Sequence, residues 1–292
     1  MKRRDILLGA SSIATAAVIA NSQLSTAKQA DPKTPIVATA ANLGQNIQIA
    51  KDFPGYYATP TGTGKFPAVI VLMEAFGLNK WCKSICDRLA QSGFAAIAPD
   101  FYRGTTYAYT DVTGAVAKLK SLNDNAVMSD VGKSIDFLTG RSEINANGIG
   151  VIGFCMGGRY AFLTNASYPT KIKAAISFYG GGIDAAPGNP LGQKSLLDRV
   201  AAMQSPLMLM YGSEDQLIAS EEHGRVAAAL SKAKKRYILN LFPKAGHGFM
   251  SDRRENYAPE AAAEAWLMTT GFFSQNLKPK KVKPTHPITA NE

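Results

Sequence analysis

The sequence predicts an α/β fold: a mostly parallel central sheet with helices on both faces. Two observations carry that expectation. From residue 43 onward, apolar runs of strand length alternate with runs of helical periodicity, and such alternation builds a parallel sheet covered on both sides. Several of the apolar runs are also continuous, as in AVIVLM at 68–73, which fits strands buried on both faces. The chain has 292 residues, 46% hydrophobic and 18% charged, enough for one large domain. No linker interrupts its middle and no fixed-period repeat runs through it.

Residues 53–58 and 66–73 read as a hairpin, turned at the PTGTG stretch 60–64. Residues 81–92 are amphipathic, with Ile85, Leu89 and Cys82 on one face, and Gly93 stops them. A second buried strand, 94–98, ends at Pro99. Residues 113–122 and 126–139 read as helices. Further strands fall at 148–153, 174–179, 206–211 and 237–242, with a helix starting near Met156 and a closing helix over 258–275. In that last helix Ala262, Trp266, Thr269 and Phe273 recur at helical spacing.

The two ends read differently. Lys2, Arg3 and Arg4 precede a weakly apolar run, 6–20, and Ser25-Thr26-Ala27 suits cleavage after Ala27. Residues 1–27 therefore read as a twin-arginine export signal, too short in its apolar run for a membrane span of ~20 residues. The expectations are transient contact with the export machinery, a periplasmic location and a monomer. Residues 28–42 read as a flexible segment, 43–277 as the folded domain, and 278–292 as a basic disordered tail. The formal net charge is +10, but Lys278, Lys280, Lys281 and Lys283 join the three leader cations outside the domain, offset there by Asp5, Asp31 and Glu292. With no nucleic-acid motif beside it, that charge does not argue for a nucleic-acid partner.

Chemistry gathers after the strands, where open α/β sheets place it. Gly153-Phe154-Cys155-Met156-Gly157 lies between a strand and a helix. This is the nucleophile-elbow pattern with cysteine for serine, glycines standing where the turn leaves no room for β-carbons. The helix start favours a thiolate and places the Met156 N–H where an oxyanion would form. The bland reading is a small buried cysteine at a tight turn.

A nucleophile needs a base, and the chain has three histidines. His286 is in the tail, and His223 reads as a solvated residue on an exposed helix face. His247 follows the sixth strand in Gly246-His247-Gly248-Phe249. The orienting acid is Asp215, with Glu214 as the alternative, in the loop after the fifth strand. Cys155, Asp215 and His247 stand in the chain order of the α/β-hydrolase fold. Glu74 and Ala75 follow the first buried strand, where that fold supplies its second oxyanion N–H, here from Ala75. Cys82 and Cys86 read as buried structural thiols, since a disulfide at that helical spacing would strain the helix. They lack the partners of a zinc site.

Together the stretches EAFGLN (74–79), RLAQSG (88–93), PDFYR (99–103), GFCMGG (153–158), YGSED (211–215) and GHGF (246–249) resemble the dienelactone hydrolase family, the carboxymethylenebutenolidases. The resemblance runs from about residue 50 to 276. It implies a Cys–His–Asp hydrolase of a small lactone or ester, working without metal or organic cofactor through an acyl-thioester. It also implies that Glu74 helps to activate the thiol and that arginines at the mouth bind a substrate carboxylate. Arg103 matches one such arginine displaced by one residue, and Arg254 fits a variant pattern for the second. Ser251 stands four residues after His247. Rival expectations are an exported general carboxylesterase or thioesterase, a non-catalytic binding protein on the same fold, and a thiol-redox protein using Cys82 and Cys86.

Overall fold

A computed structural model of the chain describes residues 44–277. The leader, the segment to residue 42 and the basic tail lie outside the described residues. The described part contains β1 (Gly44–Ala50), β2 (Phe53–Ala58), β3 (Phe66–Leu72), α1 (Lys80–Gln91), β4 (Ala95–Pro99), α2 (Val112–Lys120), α3 (Asp124–Thr139) and β5 (Ile144–Phe154). It continues with α4 (Met156–Ser167), β6 (Ile172–Phe178), β7 (Leu207–Gly212), α5 (Ser220–Lys232), β8 (Tyr237–Phe242) and α6 (Pro259–Leu277). The strands form one sheet in the order β1-β2-β4-β3-β5-β6-β7-β8. β3 to β8 pair in parallel, and β1 and β2 are antiparallel additions at one edge. This is the α/β-hydrolase fold.

The expected hairpin of 53–58 with 66–73 is not formed. β2 pairs with β1 and β4, and β3 lies beyond β4, parallel to it and to β5. The reason is burial. β3 is apolar on both faces and is claimed by the sheet centre, where Ala68 to Met73 are fully buried. The glycine-rich stretch 60–64 is therefore a connection, not a hairpin turn. β1, which sequence periodicity did not single out, has mostly exposed or half-buried side chains on an edge.

The helices follow from their apolar faces. α1 is capped by Asn79, whose side chain accepts from Cys82 N at 3.0 Å, and buries Trp81, Cys82, Ile85, Cys86, Leu89 and Ala90. Its Arg88 guanidinium lies 3.9 Å over the Trp266 ring and ties α1 to α6. Cys82 and Cys86 are unbridged, and burial pushes both thiols up. α5 buries His223, Val226 and Leu230. His223 is thus not the solvated residue its charged neighbours suggested: it stacks on Tyr211 with ring centroids 3.8 Å apart, and burial lowers its pKa. The i, i+3, i+7 spacing decides the face, not the adjacent glutamates.

After β3 the chain crosses to β4 on one side, then returns to β5 on the other side of β3. The loops leaving β3 and β5 therefore diverge from neighbouring strands, the place where such a sheet opens a crevice.

Candidate active site

Cys155 joins β5 to α4 with φ 55° and ψ −117°. Holding a non-glycine residue there costs about 1–3 kcal/mol, and such strain needs surrounding support. The support is close packing. A β-carbon on Gly153 would fall on the Gly157 carbonyl, and one on Gly157 would fall on Leu72 O at the end of β3. Cys155 N donates to Phe178 O of β6 at 3.0 Å. The turn is thus clamped between β3 and β6, with its thiol half-buried. The same contact with β3 brings the Ala75 segment beside the elbow, and Met156 N opens the helix on the other side.

His247 and Asp215 come from adjacent loops that interlock. Ser213 N donates to Phe242 O and Glu214 N to Ala245 O, each at 2.9 Å. Gly212 has no space for a β-carbon against Ala245 O. Asp215 Oδ2 lies 2.9 Å from His247 Nδ1. Its Oδ1 accepts from Leu217 N at 2.9 Å and Ile218 N at 3.1 Å. Glu214, the alternative acid, is exposed. His247 is buried. Burial alone would lower its pKa. Negative charge on Cys155, hydrogen bonds to Asp215 and to Cys155, and Asp215's own charge outweigh that, and the imidazole is pushed up to about 10. With Nδ1 on Asp215, it is Nε2 that faces Cys155.

Glu74 is the third buried group. Its side chain is 1% exposed. Burial raises its pKa, opposed by Arg254, His247, Tyr109 and Tyr179. The contacts are long: Arg254 Nη1 at 3.5 Å, Tyr179 Oη at 3.5 Å and Tyr109 Oη at 3.3 Å. The Arg254 guanidinium lies over Phe76 and Tyr109, 5.5 and 5.6 Å from their ring centroids. A groove of about 440 Å³ opens on His247 and Arg254, edged by Leu217, Lys244 and Tyr257.

Cys155, Asp215, His247, Glu74, Ala75, Met156 and Arg254 are therefore brought to one end of the sheet. Arg103 is not brought into that cluster. Its φ of 54° turns the side chain onto α3, where Nη2 meets Asp130 at 2.6 Å. Nη1 donates to Asp100 O, and the guanidinium covers Phe53 at 4.2 Å. The displacement by one residue in the sequence match has this physical outcome. Sequence reasoning missed Tyr109 and Tyr179 as site residues. Tyr179 directly follows β6, so the strand-end rule could have found it. Tyr109 sits deep in the loop after β4 and carries no such signal. Among the described residues no cluster of three or more His, Cys, Asp or Glu could hold a metal ion.

Known proteins resemble this chain in sequence and in fold. The dienelactone hydrolase family model matches residues 53–277. A Synechocystis protein assigned as a carboxymethylenebutenolidase is 36% identical over 255 residues, covering 85% of this chain and 99% of that protein. A Bradyrhizobium protein assigned as a 2-oxo-3-(5-oxofuran-2-ylidene)propanoate lactonase is 30% identical over 234 residues, covering 77% and 90%. A Klebsiella pneumoniae crystal structure assigned as a dienelactone hydrolase superposes with a TM-score of 0.73 at 28% identity, covering 81% of this chain and 100% of that one.

Proposed function

Because this chain belongs to the dienelactone hydrolase family, and is thereby a hydrolase of the class acting on lactone and ester bonds, we propose that it cleaves its substrate through Cys155, His247 and Asp215 by way of an acyl-thioester. The observation that carries this reading is the 2.9 Å bond from Asp215 to His247 Nδ1, which leaves the buried Nε2 facing a cysteine on a strained elbow.

As substrate binds, the Cys155 thiol gives its proton to Glu74 while His247 already carries its own, and the Cys155 thiolate attacks the carbonyl carbon. The oxyanion is met by the N–H groups of Ala75 and Met156. The imidazolium of His247, oriented through Nδ1–H by Asp215, protonates the departing alkoxide from Nε2. Water, deprotonated by His247, then attacks the thioester carbonyl and releases the acid and the thiolate, which takes its proton back from Glu74. A lactone gives a single hydroxy-acid product, an ester an acid and an alcohol. The twin-arginine leader supports export to the periplasm as part of the same proposal.

The substrate is read two ways. The relatives' assignments favour an unsaturated lactone bearing a carboxylate. A second observation favours an uncharged ester: Arg103 is held by Asp130, and Arg254 already faces Glu74. Hydrolysis of a cis-dienelactone and of p-nitrophenyl acetate, with and without prior iodoacetamide, separates them. Thiol-sensitive turnover of the lactone is the expected result. Thiol-sensitive turnover of the simple ester alone moves the substrate class to general esters. Iodoacetamide-insensitive turnover removes Cys155 from the mechanism.

A further inference from the structure

Glu74 is buried at the site, yet none of its hydrogen bonds is short. The chain of side chains behind it gives a reason. Asn79 Oδ1 is already taken by Cys82 N, the cap of α1, at 3.0 Å. The amide is thereby oriented, and Nδ2 is the group that faces Tyr109 Oη, at 3.2 Å. Tyr109 Oη in turn lies 3.3 Å from Glu74 Oε2 and 3.3 Å from Ser251 Oγ. Ser251 is fully buried. Its hydroxyl is within reach of Tyr109 and is kept from water.

A phenol has one proton to give. Asn79 can only donate to it, so two arrangements remain. With Glu74 ionised, Tyr109 donates to the carboxylate and Ser251 donates to Tyr109. With Glu74 protonated, the acid donates to Tyr109 and Tyr109 donates to Ser251. Both arrangements leave every member paired, and passage between them needs only rotation of two hydroxyls. The loop that carries Tyr109 is anchored for this. Tyr107 N donates to Phe76 O at 3.0 Å, and the Tyr109 ring meets Phe76 edge-on with centroids 4.7 Å apart.

We propose that Tyr109 is a positioning residue for Glu74: by reversing its single O–H between Glu74 and Ser251, it holds the glutamate in one place in either protonation state. This rests on the reading that Glu74 assists removal of the Cys155 proton. A base that gains and loses a proton each cycle while buried needs a partner that tolerates both forms. Arg254 stabilises only the ionised one. The other groups facing Glu74 are His247 from the loop after β8, Tyr179 from the end of β6 and Cys82 on α1.

The test is a double-mutant cycle on the full-length chain. It is read as the pre-steady-state burst of p-nitrophenolate from p-nitrophenyl acetate between pH 5 and 9, set by the assay. Glu74→Gln is expected to slow the burst about 10–100-fold, the scale of one proton-transfer group. Tyr109→Phe is expected to slow it about 5–20-fold, to leave KM within about 2-fold, and to move the acidic limb to higher pH, since a donor that lowers the Glu74 pKa is gone. In the Glu74→Gln background the same change should add less than about 2-fold. Ser251→Ala should shift the limb in the same direction by less, and it carries the test if Tyr109→Phe folds poorly. An equal effect of Tyr109→Phe in both backgrounds, or an acidic limb that stays put, overturns the proposal. A Glu74→Gln burst at the wild-type rate instead removes Glu74 from the mechanism, and the inference with it.

Discussion

Two carboxylates are buried at this site, and they are held in opposite ways. Asp215 has both oxygens filled at 2.9–3.1 Å, one by the His247 ring and one by two backbone N–H groups of its own loop. Backbone donors are rigid, so they fix the direction of the carboxylate. Glu74 has three side-chain neighbours at 3.3–3.5 Å, and burial raises its pKa. The first is held still. The second is held loosely, as the proposed proton exchange at Glu74 requires.

That contrast sets an order of expected effects. Cys155→Ala removes the nucleophile of the proposed mechanism and should abolish thioester formation, read by mass spectrometry of the acylated chain; an acyl adduct on the variant would end the cysteine reading. Asp215→Asn should lower kcat by about 10³–10⁴, because the amide would favour the wrong His247 tautomer. A loss under tenfold would mean that the acid does not orient the ring. Glu74→Gln should slow acylation far less and should keep or raise Tm, since a buried carboxylate opposed by desolvation is replaced by a neutral isostere. A fall in Tm of several degrees would make Glu74 structural.

The next expectation concerns pH. His247 binds its proton more tightly folded than unfolded, with a pKa of about 10 against an ordinary 6.5. Its protonated form therefore adds stability that is complete below about pH 6.5 and is lost as pH rises toward 10. In Cys155→Ala the burial remains while the negative charge is gone, so the imidazole pKa should fall. Histidine NMR titration of the two proteins reads this directly, and an unchanged value would separate the thiol from the ring. The smallest effect is expected at Arg103→Ala. Activity should stay within about 2-fold, and Tm should drop by about 2–4 °C through loss of a half-exposed ion pair worth about 1 kcal/mol. A tenfold rise in KM would return Arg103 to the substrate site.

Most of the parallel sheet was legible because its central strands are apolar on both faces, a signal that needs no partner to interpret. β1 and the pairing of β2 were not legible. Edge strands alternate weakly, and a short connection between two strands suggests a hairpin whether or not a third strand inserts. The grouping of Cys155, Asp215 and His247 was legible from position, each just past a strand. The sequence favoured Asp215 and kept Glu214 as the alternative; the coordinates put Asp215 on the ring and leave Glu214 exposed, since one residue of register in a loop decides which side chain faces the ring. Arg103 shows the converse. Its type and neighbourhood matched a binding residue, but a left-handed backbone turn directs it to Asp130. Tyr109 and Ser251 meet across 142 residues, a proximity that no local pattern encodes.

The interlocked loops after β7 and β8 also bear on the life of the chain before it is complete. The elbow is made from residues near 155, but the ring that faces it is at position 247, on the loop after the last strand to join the sheet. At a synthesis rate of about 5–20 residues per second, roughly 5–20 seconds separate their emergence. During that interval the nascent chain carries its thiol without its histidine. On the proposed mechanism, reactivity arrives only with the final strand, so a chain cut short before β8 should be inert toward esters.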